Sequence, residues 1–319
     1  MECREVWESD LVECLNIEPR AWGDGIVGRE AALAVWKKWI NSLSFNSAVL
    51  ETTGLRSARR KVAFGASVFV TGEFLTRELG RLEPGLNSRL IAGEVSGNSA
   101  VRPETSLCDS NPRNALDVVI LNCNYRYQAL NPEQVAEAEV MLPAAFAEAH
   151  MGYRIHRVLI ETVCERQRQV HESSGVWRTV KSFPECGSAL LLLTREDALS
   201  VSGSIAAPLF QYQEPILGLR DTDKQLLAAA INGDTDCELA TRMNLSLPTV
   251  KKRWAALFDR IADICPGLLP ATENRKDYES RGPQKRHRIL TYIRSHAEEV
   301  RPFRWRRHPV NSWEAVARQ

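Results

Sequence analysis

Residues 219–261 read LRDTDKQLLAAAINGDTDCELATRMNLSLPTVKKRWAALFDRI. The spacing predicts three short helices separated by two turns. Asp221 or Thr222 can cap the first helix, and Leu226, Leu227, Ala230 and Ile231 recur at helical intervals. Gly233 stands where a chain leaving a helix often needs a positive φ. Thr235 and Glu238 have the spacing of a capping box at the start of the second helix, whose inner face is Leu239, Ala240 and Met243. Asn244 suits the turn, and Leu245 can fill the space between helices. Ser246 caps the third helix, with Pro248 in its first turn, where a missing N–H costs nothing.

In that third helix Val250, Trp254, Leu257 and Ile261 share one face. Thr249, Lys251, Lys252 and Arg253 cannot all join it, so several project outward near the helix N-terminus. A helix-turn-helix presents that part of its second helix to base edges. Lysine and arginine neutralise phosphates, and arginine can read guanine with two hydrogen bonds. Pattern alone equally allows a three-helix segment with a solvated basic stripe.

The segment resembles the DNA-binding domain of the LuxR/NarL-type (GerE-like) transcription regulators. The likeness rests on Leu219, Asp223, the Leu226–Leu227 pair, Gly233 and Ala240. It is most specific at Ser246, Thr249, Val250 and Lys251. The resemblance implies a four-helix domain that enters the major groove of double-stranded DNA, often as a homodimer. It places contacts to bases and phosphates at Ser246, Thr249, Lys251, Lys252, Arg253 and Ala255. Two positions depart from the family pattern. Arg220 replaces the usual Thr or Ser cap, and Trp254 is bulkier than the usual residue there. The likeness covers a small part of the 319 residues.

A chain of 319 residues suits two domains. The net charge is only +1, but it is unevenly spread. Residues 217–319 hold 19 Lys and Arg against 13 Asp and Glu, and residues 1–216 hold 22 against 27. A basic C-terminal third behind an acidic front is the asymmetry expected of a DNA-binding module carried on a regulatory domain. The eight cysteines show no CxxC and no zinc spacing, so no metal is expected. Cys123 and Cys164 lie in apolar and helical runs and read as buried thiols in a reduced cytoplasm. The first residues lack a signal-peptide core, and no apolar stretch approaches 18 residues.

The front two-thirds predicts helices over 29–42, 72–79 and from Pro132 to about His150, where Gly152 breaks the pattern. A further helix is expected from Tyr153 to about His171. Strands are expected at 62–70, 117–123, 175–183 and in ALLLLT at 189–194, followed by a helical turn at REDALS. Residues 97–114 read as a long loop, 89–95 are ambiguous, and the basic run 54–61 lies in loop-like sequence. Strands and helices do not alternate cleanly, which argues against a doubly wound parallel sheet. The expectation is an α+β, sensor-like domain over 1–210 with an antiparallel or mixed sheet. A helix-turn-helix domain follows over 211–265, then a linker and basic amphipathic helix over 266–319.

Catalytic patterns fail on context. Gly23-x-Gly25-x-x-Gly28 has the dinucleotide spacing but neither the preceding strand nor the acidic partner, so it reads as a loop. There is no phosphate-binding loop and no HExxH. His150 and His156 flank Gly152, and a helix-end histidine is more often a cap than a ligand. No cofactor and no enzymatic activity are expected.

The chain then continues beyond the helical segment. Residues 282–300 predict a helix with Pro283 in its first turn and Leu290, Ile293, Ala297 and Val300 on one face. Lys285, Arg286, His287 and Arg288 crowd its start. The apolar face can pack on the helix-turn-helix, and Lys285, Arg286 and Arg288 are candidates for phosphate contact. Arg304, Trp305, Arg306 and Arg307 add a basic tail. The expected protein is a cytoplasmic DNA-binding regulator whose front domain senses a small-molecule signal or dimerises. The alternative is a ligand-binding protein or enzyme whose helical end is an interaction module.

Overall fold

The computed structural model describes residues 1–23, 25–53, 59–111, 116–231, 233–269 and 278–302. Most of the basic run at 54–61, residues 270–277 of the expected linker after 265, and the tail residues Arg304 to Arg307 lie outside the described residues. The chain divides into two compact units, Met1–Tyr212 and Gln213–Gln319.

The first unit is built on a seven-stranded mixed sheet in the order β1-β2-β3-β4-β5-β7-β6. The strands are β1 (Glu2–Arg4), β2 (Phe45–Thr53), β3 (Arg59–Val70), β4 (Leu116–Tyr125), β5 (Ile155–Thr162), β6 (Arg178–Phe183) and β7 (Ser188–Thr194). All neighbours pair antiparallel except β4 and β5, which are parallel. A parallel pair needs a long crossover, and α6 (Pro132–His150) supplies it.

Alternation along the central strands sends side chains into two cores. In β7, Leu190 and Leu192 join one cluster, while Leu191 and Leu193 join the other. In β4, Val119 and Leu121 face the first cluster, and Val118 and Ile120 the second. Strands buried on both faces read as continuous apolar runs, which is how LDVVIL and ALLLLT appear in the sequence. Helices α1 (Leu11–Leu15), α2 (Arg29–Ile40), α3 (Gly72–Arg81) and α4 (Leu86–Val95) contribute to the first core. Trp36, Trp39 and Phe45 meet edge-to-face at its centre. On the other face lie α5 (Glu104–Ser110), α6, α7 (Glu165–Ser173) and α8 (Arg195–Ser200).

The expected mixed sheet with packed helices is present, with several changes of detail. Tyr153 to His171 is not one helix: it is β5 followed by α7. Buried Val158, Leu159 and Ile160 are held by hydrogen-bonded neighbours on both sides, so tertiary pairing outweighs the local helical reading. β1 and β2 were not anticipated, residues 86–95 resolve as helix, and the loop at 97–114 contains α5. Helix α6 begins as its sequence requires, with Asn131 and Gln134 capping each other's N–H groups. Cys164 is exposed at the start of α7 rather than buried, because the helix begins one residue after it.

The second unit is helical: α9 (Asp221–Ala230), α10 (Asp236–Arg242), α11 (Leu247–Ile264) and α12 (Tyr278–Ser295). One core joins all four, with Leu226, Leu239, Val250, Leu257, Ile289 and Ile293 among its members. Helix α12 starts earlier than Pro283 and ends at Ser295, where a 3₁₀ turn, Ala297–Glu299, takes over. Leu290, Ile293, Ala297 and Val300 are all buried, as their shared face implies.

Candidate nucleic-acid interface

Local capping sets the geometry of α10 and α11. Thr235 Oγ1 accepts from the Glu238 N–H, and Glu238 accepts from the Thr235 N–H at 2.7 Å. Those bonds from the Thr235 backbone and hydroxyl hold the Glu238 carboxyl below its usual range. The chain then turns through Asn244, whose φ of 51° is the left-handed conformation that asparagine tolerates. Ser246 caps α11 by accepting from the Thr249 N–H, and the two hydroxyls lie 2.8 Å apart.

Val250, Trp254, Leu257 and Ile261 are buried as the spacing implies, and Phe258 joins them. At about 100° per residue, this leaves Lys252 opposite the core with Lys251 and Arg253 to either side. Lys251 and Lys252 are exposed, and Arg253 is half-buried. Ser246 is exposed, while Thr249 and Ala255 are half-buried along the same outward face. The structure therefore brings six of the nine candidate residues onto one helix and its cap. Among the described residues no carboxylate pairs with Lys251, Lys252 or Arg253.

The other arginines of α10 and α11, Arg242 and Arg260, have internal tasks. Arg242 pairs with Asp234 at 2.6 Å, and Arg260 pairs with Asp223. Asp223 also accepts from the Arg220 N–H at 3.0 Å. Thus the unusual Arg220 keeps the reciprocal half of a cap and loses only the side-chain half.

Helix α12 divides the remaining candidates. Lys285 is buried, with a relative exposure of 5 %. Arg286 pairs with Asp236 at 2.8 Å, donates to the Asp234 carbonyl and lies 4.9 Å from the Trp254 ring centroid. These two point into the protein and not onto an open basic face, contrary to the sequence-based expectation. Their position within helix α12, packed on the core, accounts for it. Arg288 is exposed and has no ion-pair partner among the described residues. Arg286 also explains how the bulk of Trp254 is accommodated: the indole is covered by a guanidinium from α12 and by Phe258 at 5.6 Å.

Two anchors, from α12 and the turn after it, have no counterpart among the sequence-based expectations. Arg294 donates to the Ile231 carbonyl at the end of α9. Glu299, 1 % exposed, accepts from the Ile216 and Leu217 N–H groups. Both are long-range contacts with no local signature. In the first unit, His150 caps the end of its own helix by its Nδ1, 2.7 Å from the Phe146 carbonyl, whereas His156 is half exposed beside Asp117. Among the described residues no group of three or more His, Cys, Asp or Glu could hold a metal, and no helix is long and apolar enough to cross a membrane.

No protein-family model matches the chain, and no curated protein matches its sequence.

Proposed function

We propose that the protein is a DNA-binding transcription regulator. In this reading α10 and α11 are a helix-turn-helix, α11 enters the major groove, and residues 1–212 sense a signal or dimerise. The observation that carries it is the run Lys251-Lys252-Arg253 on a capped helix: three adjacent cations, two exposed and one half-buried, with no carboxylate partner among the described residues, while Arg242, Arg260 and Arg286 are neutralised internally. Unpaired cations gain most from a polyanion, because phosphate contact releases condensed counterions. The likeness of 219–261 to LuxR/NarL-type domains supports the same reading and suggests a homodimer on a two-fold site. The cytoplasm is then the natural location, because the duplex is there.

The direct test is fluorescence anisotropy of the full chain with labelled duplex DNA across a salt series. Affinity should fall steeply with salt, by roughly one unit of log–log slope for each phosphate neutralised. Absence of salt-dependent duplex binding would overturn the proposal. A second reading, a ligand-binding protein with a helical interaction module, is favoured by a cavity in the first unit.

A further inference from the structure

Between α6, α7 and the sheet lies a cavity of about 240 Å³. Gly65, Ile120, Leu142, Phe146, Val170 and Trp177 form much of its wall. Its volume has a sequence cause. Helix α6 turns the small side chains of Ala145 and Ala149 toward it, where larger residues would fill the space. Pro143, inside the same helix, has no N–H for the Glu139 carbonyl, which loosens the helical ladder at the cavity wall. Val140 and Ile205 stand at its edge and are more than half exposed.

Polar side chains also line the cavity, Ser47, Asn122 and Gln167 among them, and two histidines stand out by their geometry. His150 and His171 both line the cavity, and each places its Nδ1 against the carbonyl four residues earlier, at 2.7 and 2.8 Å. A carbonyl only accepts, so Nδ1 carries a proton in both rings, and Nε2 is an acceptor in the neutral form of either. His150 Nε2 is met by Ser67 Oγ at 3.2 Å. His171 Nε2 has no hydrogen-bond partner among the described residues. Burial pushes the His171 pKa below its ordinary value, against the opposing pull of the Gln167 carbonyl, so the ring stays neutral. Trp177 packs edge-on against it at 5.2 Å and fixes its plane. No Lys or Arg lines the cavity, and its single carboxylate, Glu139, is engaged by Arg166 and Tyr127.

We propose that this cavity binds a neutral, mainly apolar alcohol or phenol of about ten heavy atoms, whose hydroxyl donates to His171 Nε2. A carboxylate ligand is disfavoured, since it would enter an apolar space that offers no cation and already contains Glu139. The assignment rests on reading residues 1–212 as the sensing unit, and it requires nothing of α11.

The test is calorimetric titration of the full chain, without DNA, by 4-propylphenol, 4-propylanisole and 4-propylbenzoate. The phenol should bind saturably. The anisole, which keeps the shape but lacks the donor, should bind about tenfold more weakly, and the benzoate more weakly still. His171→Phe should remove the preference for phenol over anisole, and Ala149→Phe should abolish binding, with circular dichroism unchanged in both. Equal affinity for phenol and anisole, tighter binding of benzoate, or no saturable phenol binding would each overturn the assignment. The comparison of the three probes on the unmutated protein stands even if a variant fails to fold. Because DNA affinity is read in a separate titration, failure of the cavity proposal and failure of the DNA-binding proposal are distinguishable.

Discussion

The two units solve the same problem, burying an apolar core, by opposite means. In residues 213–302 local signals set several helix ends: Ser246 starts α11, Thr235 with Glu238 starts α10, and Gly233 with a φ of 91° follows α9. In residues 1–212 the core is divided by a sheet whose central strands are specified by what lies beside them. A helix closes its hydrogen bonds within four residues, whereas a strand closes them with residues far away in sequence. The helical unit is therefore locally written, and the sheet unit is not. The same contrast extends to charge. The helical unit pairs Arg242, Arg260 and Arg286 internally and leaves Lys251 and Lys252 exposed beside half-buried Arg253, while the sheet unit ties Arg4, Asp10, Glu51 and Lys61 into one partly buried cluster.

The contrast can be broken most forcefully at the core of the sheet unit. Trp36→Ala removes a fully buried indole packed on Trp39 and Phe45, and should cost about 3–5 kcal/mol of stability. Chemical denaturation followed by circular dichroism should show the loss in one transition, with duplex affinity retained. Loss of both together would mean that the units do not fold separately.

Glu299→Ala should act in the other unit. It leaves the buried Leu217 N–H and the Ile216 N–H without their acceptor, at a cost of about 1–3 kcal/mol. The helical transition should move and the sheet transition should not. If hydrogen exchange at Leu217 is unchanged in the variant, Glu299 is not the anchor.

Acid should separate the units as well. Burial alone would raise the Asp10 pKa, but hydrogen bonds from Arg4 and the Trp7 N–H, with Lys61 adding to them, hold it below the usual carboxylate range. A carboxyl depressed in the folded state binds fewer protons there than when unfolded. Its stabilisation is therefore complete above about pH 4 and is lost as pH falls through the lowered folded value. Denaturation midpoints of the sheet unit should fall below pH 4, and Asp10→Asn should flatten that fall. An unaltered pH profile in Asp10→Asn would remove Asp10 from the explanation.

The smallest change in stability and the most specific change in function belong to α11. Lys251→Ala should leave the thermal midpoint unchanged, weaken duplex binding across sequences and lower the salt slope by about 1. Arg253→Ala, at a half-buried position beside the core face, should weaken binding too. An unchanged slope in both variants would turn the basic run back into a solvated surface.

What could be read from the sequence follows the same division. The caps of α6, α10 and α11 and the inward residues Val250, Trp254, Leu257 and Ile261 were legible because their partners lie within a few positions. The outward placement of Lys251 and Lys252 followed from the same periodicity. The burial of Lys285 and the engagement of Arg286 were not legible, since Asp234 and Asp236 lie about fifty residues away. β2 was missed because FNSAVLETT mixes small and polar residues and is a strand only between β1 and β3. β5 was misread because IHRVLIET places its polar residues at intervals a helix could also use. The cavity was invisible for a related reason: its lining runs from Asn46 to Ala206 and converges only when the crossover helix is laid on the sheet.

By itself, then, the sequence determined much of the helical unit: the caps that start α10 and α11, the face α11 buries, and that a cationic run lies outside. Those features depend on contacts within one or two helical turns, which any chain of this sequence makes locally. Only the tertiary structure decided the strand order, the parallel pairing of β4 with β5, the neutralisation of Arg286 and the cavity that His150 and His171 line. Each of these depends on residues brought together from distant parts of the chain, where partner choice is set by the packing of the whole unit and not by local preference.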